Sequence, residues 1–256
     1  MAGIMQIISY RVLNYLREHS REQQRGLAEV YALLPRTRCK RRTLCCSLLP
    51  EVSLVEALKV LQRLEQLAPP RRRDICRKIY RYFFMNPLEV TSCPFLEEVE
   101  CVIYEDRFFG CRSYGLWSQQ CYQQQLASDR QAKSLLRHQW HSLGVSLPRQ
   151  VIDFQLPYCT NVETEGGAVV EDEMLLQTAE LVGALSCQLN PWHQVFRNSY
   201  FADFSFLCTS LVMGFAEAVQ QKLLLVQQVV ATGDRSGVAR LVNTLPDLWI
   251  DEAAIS

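Results

Sequence analysis

The sequence lacks the short motifs that identify several large classes of enzyme. It contains no G-x-S-x-G nucleophile turn, no G-x-x-x-x-G-K-[ST] phosphate loop and no G-x-G-x-x-G dinucleotide loop. The stretch "TGDRSG", residues 232–237, lacks the lysine that a phosphate loop needs. We therefore predict a protein that is not an enzyme. The alternative is an acid–base site that the fold assembles from distant residues, since such a site needs no local motif.

Glycine and proline are also scarce, with 11 and 10 residues among 256. An all-β fold needs many tight turns, which these residues favour, so their scarcity argues against it. The composition is 48% hydrophobic, which is enough to build a buried core. Helical periodicity along most of the chain then predicts an all-α protein. We expect an irregular multi-helix bundle with a long non-helical segment near residues 145–170.

That non-helical segment separates two helical regions. Two prolines and a Gly-Gly pair interrupt it, and only "VIDFQL" alternates like a short strand. We predict a basic N-terminal helical region at 1–144, a linker or long surface loop at 145–170, and a C-terminal helical region at 171–256. The alternative is one continuous domain.

No uncharged apolar run is long enough for a membrane span. The best candidate, Phe204 to Ala216, has 13 residues, whereas a span needs about 20. No secretory signal opens the chain, and no N-x-[ST] sequon occurs in it. We predict a cytoplasmic or nuclear protein without a membrane span. Mitochondrial targeting by the first 17 residues, which contain no acid, is the alternative.

Eleven cysteines are present, but no C-x-x-C pair is. Structural zinc sites usually take their ligands from such pairs. His138 and His141 lie one helical turn apart but have no obvious third ligand. We predict free thiols in a reducing compartment, no metal and no cofactor. The alternatives are a zinc site and lipid attachment at Cys45 and Cys46, which follow a run of basic residues.

Capping residues and helix breakers predict several helix boundaries. Ser53 and Glu56 have the spacing of a capping box, and the amphipathic helix that follows ends before Pro69. Residues 4–34 show one apolar helix face, in which Gly26 is a predicted break or kink. The other predicted helices cover 71–84, 92–106 (with Ser92 as a cap), 116–143, 171–189, and 191–231 with a break inside it.

Helix 191–231 is predicted to be the central element of the core. Apolar residues recur in it at three- and four-residue steps and form one stripe: Phe204, Leu207, Leu211 and Phe215. Asp203 lies beside this stripe. A helix in a soluble core can turn this residue towards water.

The net charge is zero, but the two parts of the chain differ in sign. Residues 1–90 hold 17 basic and 8 acidic residues, and residues 91–256 hold 10 and 19. The basic residues concentrate after Pro35 and on helix 71–84, where guanidinium groups suit phosphates or acidic partners. The alternative is that they form salt bridges with the acidic part of the chain. The candidate binding residues are Arg36, Arg38, Lys40, Arg41, Arg42, Arg72, Arg73, Arg77, Lys78 and Arg81.

Together these features predict a non-enzymatic helical adaptor or scaffold subunit of an intracellular multiprotein complex. Other protein subunits are its expected partners, and apolar stretches such as "VIYEDRFFG" and "NPWHQVFRNSYFADF" are candidate interfaces. The alternative is direct binding of nucleic acid or anionic lipid through residues 36–42 and 71–81.

Overall fold

Helices make up most of the molecule, as the low glycine and proline content predicts. The structure is a computed structural model that describes residues 6–40 and 42–248. Helix accounts for 64% of it and strand for 4%, which confirms the all-α prediction. The described helices are α1 (Tyr10–His19), α2 (Arg21–Ala32), α3 (Leu54–Glu65), α4 (Pro69–Met85), α5 (Phe109–Ser113), α6 (Gln119–Ser142), α7 (Arg149–Ile152), α8 (Asp172–Cys187), α9 (Trp192–Ser199), α10 (Phe204–Met213), α11 (Phe215–Thr232) and α12 (Ser236–Thr244).

Two small antiparallel sheets join segments that lie between helices. In one, β1 (Thr37–Cys39) pairs with β4 (Val162–Thr164), so that Arg38 lies opposite Glu163. In the other, β2 (Leu96–Glu97) pairs with β3 (Glu100–Cys101) as a tight hairpin. The first sheet connects the segment after α2 to the segment predicted as a linker.

The core forms where two groups of helices meet. Helix α4 packs against α10, α11 and α12, whereas α2, α3 and α8 pack on one another. Helix α9 contacts both α3 and α8. One continuous cluster of buried apolar side chains joins the two groups and extends in sequence from Ile8 to Leu248. At its centre the rings of Phe83 on α4 and Phe206 on α10 stack with centroids 5.1 Å apart.

Helix α10 is buried around its whole circumference. Phe204, Leu207 and Leu211 of the predicted stripe are buried. Phe215 lies beyond this helix, at the start of α11, and is half-buried. The serines and threonine of α10 are also buried, which is tolerated because their hydroxyls donate to backbone carbonyls or to Asp203. The prediction that Asp203 turns to water is wrong. This residue is half-buried and caps the helix by accepting hydrogen bonds from two backbone N–H groups.

The predicted long helix at 191–231 is divided into α9, α10 and α11. The first break is a turn at residues 200–203, and the second is Gly214. Gly214 has a φ of 88°, a left-handed conformation that glycine adopts without steric cost. The expected internal break is therefore present twice, and α10 becomes a separate helix that can enter the core.

Gly26 does not break the first helical segment, contrary to the prediction. The break falls at Ser20, between α1 and α2, and Gly26 lies inside α2. A Cβ atom added at Gly26 would stand 2.9 Å from Cδ2 of Leu185 on α8. The lack of a side chain at Gly26 therefore allows α2 and α8 to approach closely. The sequence around Gly26 does not reveal that α8 is the helix that packs there.

The predicted helix at 92–106 is also wrong, because this segment forms the β2–β3 hairpin and a 3-10 turn at Tyr104–Asp106. Phe95 is buried between the rings of Phe108 and Phe204, with centroids 6.1 and 5.7 Å away. Glu98 has a φ of 53° at the tip of the hairpin. Burial of Phe95 in this aromatic cluster outweighs the helical preference of the acidic residues that follow it.

The strand predicted at "VIDFQL" is wrong as well. Its first residues belong to α7, and the strand of this region, β4, begins six residues after the end of this stretch. The backbone carbonyls of Phe154 and Leu156 accept hydrogen bonds from Lys133 and Tyr122 of α6. Side chains of α6 thus take the place of a neighbouring strand.

Within the described residues, no helix combines the length and the apolar character needed to cross a membrane.

Candidate functional site: the cysteine cleft and the exposed surfaces

The first basic segment lies at the β1–β4 sheet. Arg36, Arg38 and Lys40 are exposed. The Arg38 Nε atom is 3.6 Å from a carboxylate oxygen of Glu165, and the Lys40 ammonium is 3.2 Å from one of Glu163. Arg42 is exposed on the loop that follows, and Arg41 lies outside the described residues. Two of these predicted binding residues therefore already face carboxylates of the acidic part of the chain.

The second basic segment lies on α4, where ion pairs are more frequent. Arg72 is 3.1 Å from Asp247, Lys78 is 4.0 Å from Glu97, and Arg81 is 2.8 Å from Glu89. Arg73 is exposed, whereas Arg77 is half-buried with an Nε atom that is shielded from solvent. These pairs involve other acids than the pairs of the first segment. Exposed pairs such as Lys78–Glu97 contribute about 0–1 kcal/mol each, whereas the Arg72–Asp247 pair is largely buried.

The aromatic stretches proposed as interfaces belong mainly to the core. Phe108, Phe196 and Tyr200 are fully buried, and the Tyr200 hydroxyl accepts a hydrogen bond from the backbone N–H of Ile8 at 2.9 Å. Phe201 is the exception, with 71% of its surface exposed. These stretches hold the amino-terminal segment onto the core.

A cleft beside the β2–β3 hairpin brings together cysteines that are far apart in the sequence. Its volume is about 210 Å³, and aromatic and aliphatic side chains form much of its wall, including Phe95, Ile103 and Phe108. Arg107 and Glu100 add charged groups to the lining. Six of the eleven cysteines line this cleft: Cys39, Cys45, Cys46, Cys93, Cys101 and Cys111.

A short 3-10 turn at Leu44–Ser47 positions the two adjacent cysteines of the cleft. The turn follows Thr43, which has a φ of 54°. A β-branched residue rarely adopts this left-handed conformation, and such strained residues cluster at functional sites. The backbone N–H of Cys46 donates to Thr43, and the carbonyl of Cys46 accepts from the N–H of Cys93 at 2.7 Å. Backbone bonds thus hold the turn against the segment that leads into the hairpin.

Cys45 and Cys46 interact directly, with 3.8 Å between their sulfur atoms. The hydrogen bond with Cys46 and the positive charge of Arg107 lower the pKa of the Cys45 thiol to about 7. The same hydrogen bond, together with burial, raises the pKa of Cys46. When the pair loses one proton, Cys45 therefore carries the negative charge and accepts a hydrogen bond from the Cys46 thiol.

Three other cysteines of the cleft have pKa values that are raised instead of lowered. Burial raises the pKa of Cys93 to about 12, and it also raises the pKa of Cys101 and Cys111. These thiols stay protonated near neutral pH. Since the thiolate is the reactive form of cysteine, Cys45 differs chemically from these three neighbours.

The described residues include many side chains of the types that bind metals, but these side chains do not come together as a metal site. No group of three or more histidine, cysteine, aspartate or glutamate side chains among them is arranged to hold a metal ion. His138 and His141, the pair considered from the sequence, are exposed on α6.

Two buried polar clusters resemble catalytic groups but serve the fold. Ser186 is hydrogen-bonded to Nδ1 of His193 at 2.8 Å, as in a nucleophile–base pair, yet Ser186 is fully buried and also accepts the N–H of Leu54. Glu56 closes the predicted capping box with Ser53, and its carboxylate also accepts from Tyr31. Both clusters satisfy buried backbone or hydroxyl groups around the start of α3.

Helices α2 and α8 leave an apolar strip at the surface. Gln23 contacts Gln188 and Gly26 contacts Leu185, so the two helices run antiparallel. The same register places the carboxyl end of α2 beside the amino-terminal half of α8. The α2–α8 strip consists of exposed Leu33 (58%), Met174 (40%) and Leu181 (44%), with half-buried Val30 and Leu185 between the helices.

Charged residues border the α2–α8 strip on both sides. On α2, Glu22 and Glu29 lie seven residues apart on the solvent face, and on α8 the same holds for Glu173 and Glu180. Residues seven apart lie on one side of a helix, so the α8 border presents a row of negative charge. On α2, exposed Arg21 and Arg25 lie beside the two glutamates and offset their charge. The arrangement is an apolar seam with an acidic edge on α8 and an edge of mixed charge on α2.

The sequence signals for these two features were weak. The adjacent pair Cys45 and Cys46 is visible in the sequence, but its convergence with Cys93, Cys101 and Cys111 requires the hairpin, where the sequence predicts a helix. The α2–α8 strip depends on which helices become neighbours.

Comparisons with protein-family models, with curated proteins and with solved structures found no match for this chain.

Proposed function

We propose that this chain is a non-enzymatic helical adaptor or scaffold subunit that binds another protein at the α2–α8 strip. The observation that supports this most directly is the exposed apolar strip with its acidic edge on α8. Three exposed, large apolar side chains along one seam favour a protein partner over solvent. Glu173 and Glu180 on the α8 edge favour an amphipathic helix with lysine or arginine on the side of its apolar stripe that faces them.

The Met174→Gln, Leu181→Gln double variant tests the proposal. It removes two apolar side chains of the strip without changing the net charge. Affinity purification from the source cells, followed by mass spectrometry, should recover the partner with the unmodified chain and lose it with the double variant. The melting temperature should stay nearly unchanged, because exposed substitutions usually alter stability by no more than about 0.5 kcal/mol each.

Leu176→Gln is the matched control. Leu176 is 48% exposed on α8 but lies on the other edge of the helix. It should retain the partner, and Glu180→Lys should weaken binding by repelling basic residues. Equal recovery of all bound proteins by the double variant would contradict the proposal. Self-association of the purified chain through the strip would also contradict it, since the partner would then be a second copy.

The alternative function, binding of nucleic acid or anionic lipid, receives less support. Several of its candidate cations already face carboxylates, including Arg72, Lys78 and Arg81. Phosphate binding would weaken steeply with added salt, because it releases counterions. Binding of a protein at an apolar strip would weaken much less when salt is added. A titration with a labelled oligonucleotide and with phosphatidylserine vesicles, at low and high salt, distinguishes the two functions.

A further inference from the structure

We propose that the cysteine cleft is a thiol-oxidation site, in which Cys45 reacts with hydroperoxides and Cys46 then closes a reversible disulfide with it. The two sulfur atoms are 3.8 Å apart, and the cleft is open to a molecule the size of a small hydroperoxide. This chemistry is independent of the α2–α8 strip and of the partner proposed to bind there.

Two features of the cleft favour Cys45 as the nucleophile, and a third holds the two cysteines in place. Arg107 lines the same cleft and favours the thiolate, the form that attacks peroxide. The Cys46 sulfur is 3.8 Å from Cys45, and its thiol can donate to the Cys45 thiolate and remain beside it as the second reactant. The strained Thr43 backbone and the bond from Cys93 to Cys46 hold the pair at the cleft wall.

The reaction balances with one hydroperoxide as the oxidant. The Cys45 thiolate attacks the terminal peroxide oxygen, an S–O bond forms, and the O–O bond breaks. The alkoxide or hydroxide that leaves takes up a proton, and Cys45 becomes a sulfenic acid. The sulfur of Cys46 then attacks the Cys45 sulfur, the S–S bond forms, and water leaves with the proton of Cys46. Two thiols and one hydroperoxide give a disulfide, an alcohol or water, and one further water.

The disulfide should be easy to reduce. Adjacent Cα atoms in a chain are about 3.8 Å apart, whereas disulfides usually join Cα atoms about 4.4–6.8 Å apart. A strained disulfide has a more oxidising potential, and such bonds are the labile or regulatory ones. A cellular dithiol would therefore return the pair to its thiol form, which makes oxidation of the cleft reversible.

The site permits an unambiguous assay on the full chain. Trypsin cleaves after Arg42 and Lys59, and the resulting peptide, residues 43–59, contains Cys45 and Cys46 and no other cysteine. After one equivalent of hydrogen peroxide, blocking with N-ethylmaleimide and digestion, mass spectrometry should find this peptide lighter by two hydrogen atoms and unalkylated. Dithiothreitol should restore both alkylation sites.

Two variants separate the roles of the cysteines. Cys46→Ser should leave Cys45 as a sulfenic acid that dimedone traps, whereas Cys45→Ser should leave the peptide reduced. Cys187→Ser is the control, because Cys187 is exposed on α8 outside the cleft, and it should oxidise at the unmodified rate. Circular dichroism confirms that each variant is folded.

The rate at which Cys45 is oxidised, compared with the rate for Cys187, provides a second test. With a pKa of about 7, roughly half of Cys45 is thiolate at pH 7, against a few per cent for an ordinary cysteine. Lower basicity reduces the reactivity of each thiolate, so the net advantage should be about threefold at pH 7. Equal or faster oxidation of Cys187 would overturn the proposal, as would a disulfide from Cys45 to a cysteine other than Cys46.

Discussion

At the scale of single residues, Lys222 shows the effect of burial on a charged side chain. Its ammonium group donates to Oδ1 of Asn86 at 3.0 Å and lies 4.2 Å from the centre of the Phe83 ring. Burial lowers the pKa of Lys222 to about 8, although the charge of Asp203 acts in the opposite direction. The folded protein therefore holds this proton less strongly than the unfolded chain does, so the charged lysine reduces stability near neutral pH.

Replacing Lys222 by methionine should show a pH dependence of known sign. Between about pH 8 and 10.5 the unfolded chain keeps the lysine proton that the folded protein has lost, so the lysine's unfavourable contribution disappears as pH rises. We expect Lys222→Met to be more stable than the unmodified protein by about 1–2 kcal/mol at pH 7, after allowance for partial exposure. Urea unfolding at several pH values measures this difference. An advantage that grows above pH 8 would contradict the assignment.

At the scale of helices and strands, the ends of α10 determine its place in the core. Asp203 accepts hydrogen bonds from the N–H groups of Ser205 and Phe206 at 2.7 and 3.1 Å, and Gly214 ends the helix with a left-handed backbone. Without these two stops the segment from 191 to 232 would continue as one long helix. It would then be unable to place Phe204 among Phe95 and Phe108.

Substitutions at Asp203 separate capping from charge. Asp203→Ala removes the cap and should cost about 0.5–2 kcal/mol of unfolding free energy. Asp203→Asn keeps a capping oxygen and loses only the charge, so it should retain most of the stability. Chemical denaturation of the two variants provides the comparison. Equal losses in both would show that the charge, and not the cap, stabilises the start of α10.

At the scale of the whole molecule, contacts distant in sequence connect the two charged parts of the chain. The Tyr10 hydroxyl donates to the carbonyl of Leu248, and Arg72 of α4 pairs with Asp247. The β1–β4 sheet adds a further connection, because it joins residues 37–39 to 162–164. The opposite charges of the two parts thus meet within one molecule at several of these contacts.

We expect the protein to unfold in one cooperative transition. The continuous core from Ile8 to Leu248 means that neither helical region can lose its packing alone. Far-ultraviolet circular dichroism and the fluorescence of the four tryptophans, which occur in both regions, should give coincident urea midpoints. Separate midpoints would instead support the prediction of two regions joined by a linker at 145–170.

Much of the local structure can be predicted from the sequence because its causes are local. The capping box of Ser53 and Glu56 and the apolar stripe of α10 arise from residues within one or two helical turns. The same holds for the C-cap at Gly233, whose φ is 72°. The scarcity of glycine and proline likewise predicts the helical class without reference to any contact.

The hairpin at 96–101, the role of Gly26 and the cysteine cleft were decided by tertiary structure. Phe95 leaves a helical pattern because two distant rings surround it, and Gly26 stays inside a helix because Leu185 packs on it. Local propensity amounts to less than about 1 kcal/mol per residue, whereas burying an aromatic side chain contributes about 1.5–3 kcal/mol. Where the two disagree, burial prevails, and it depends on residues that the linear sequence does not place together.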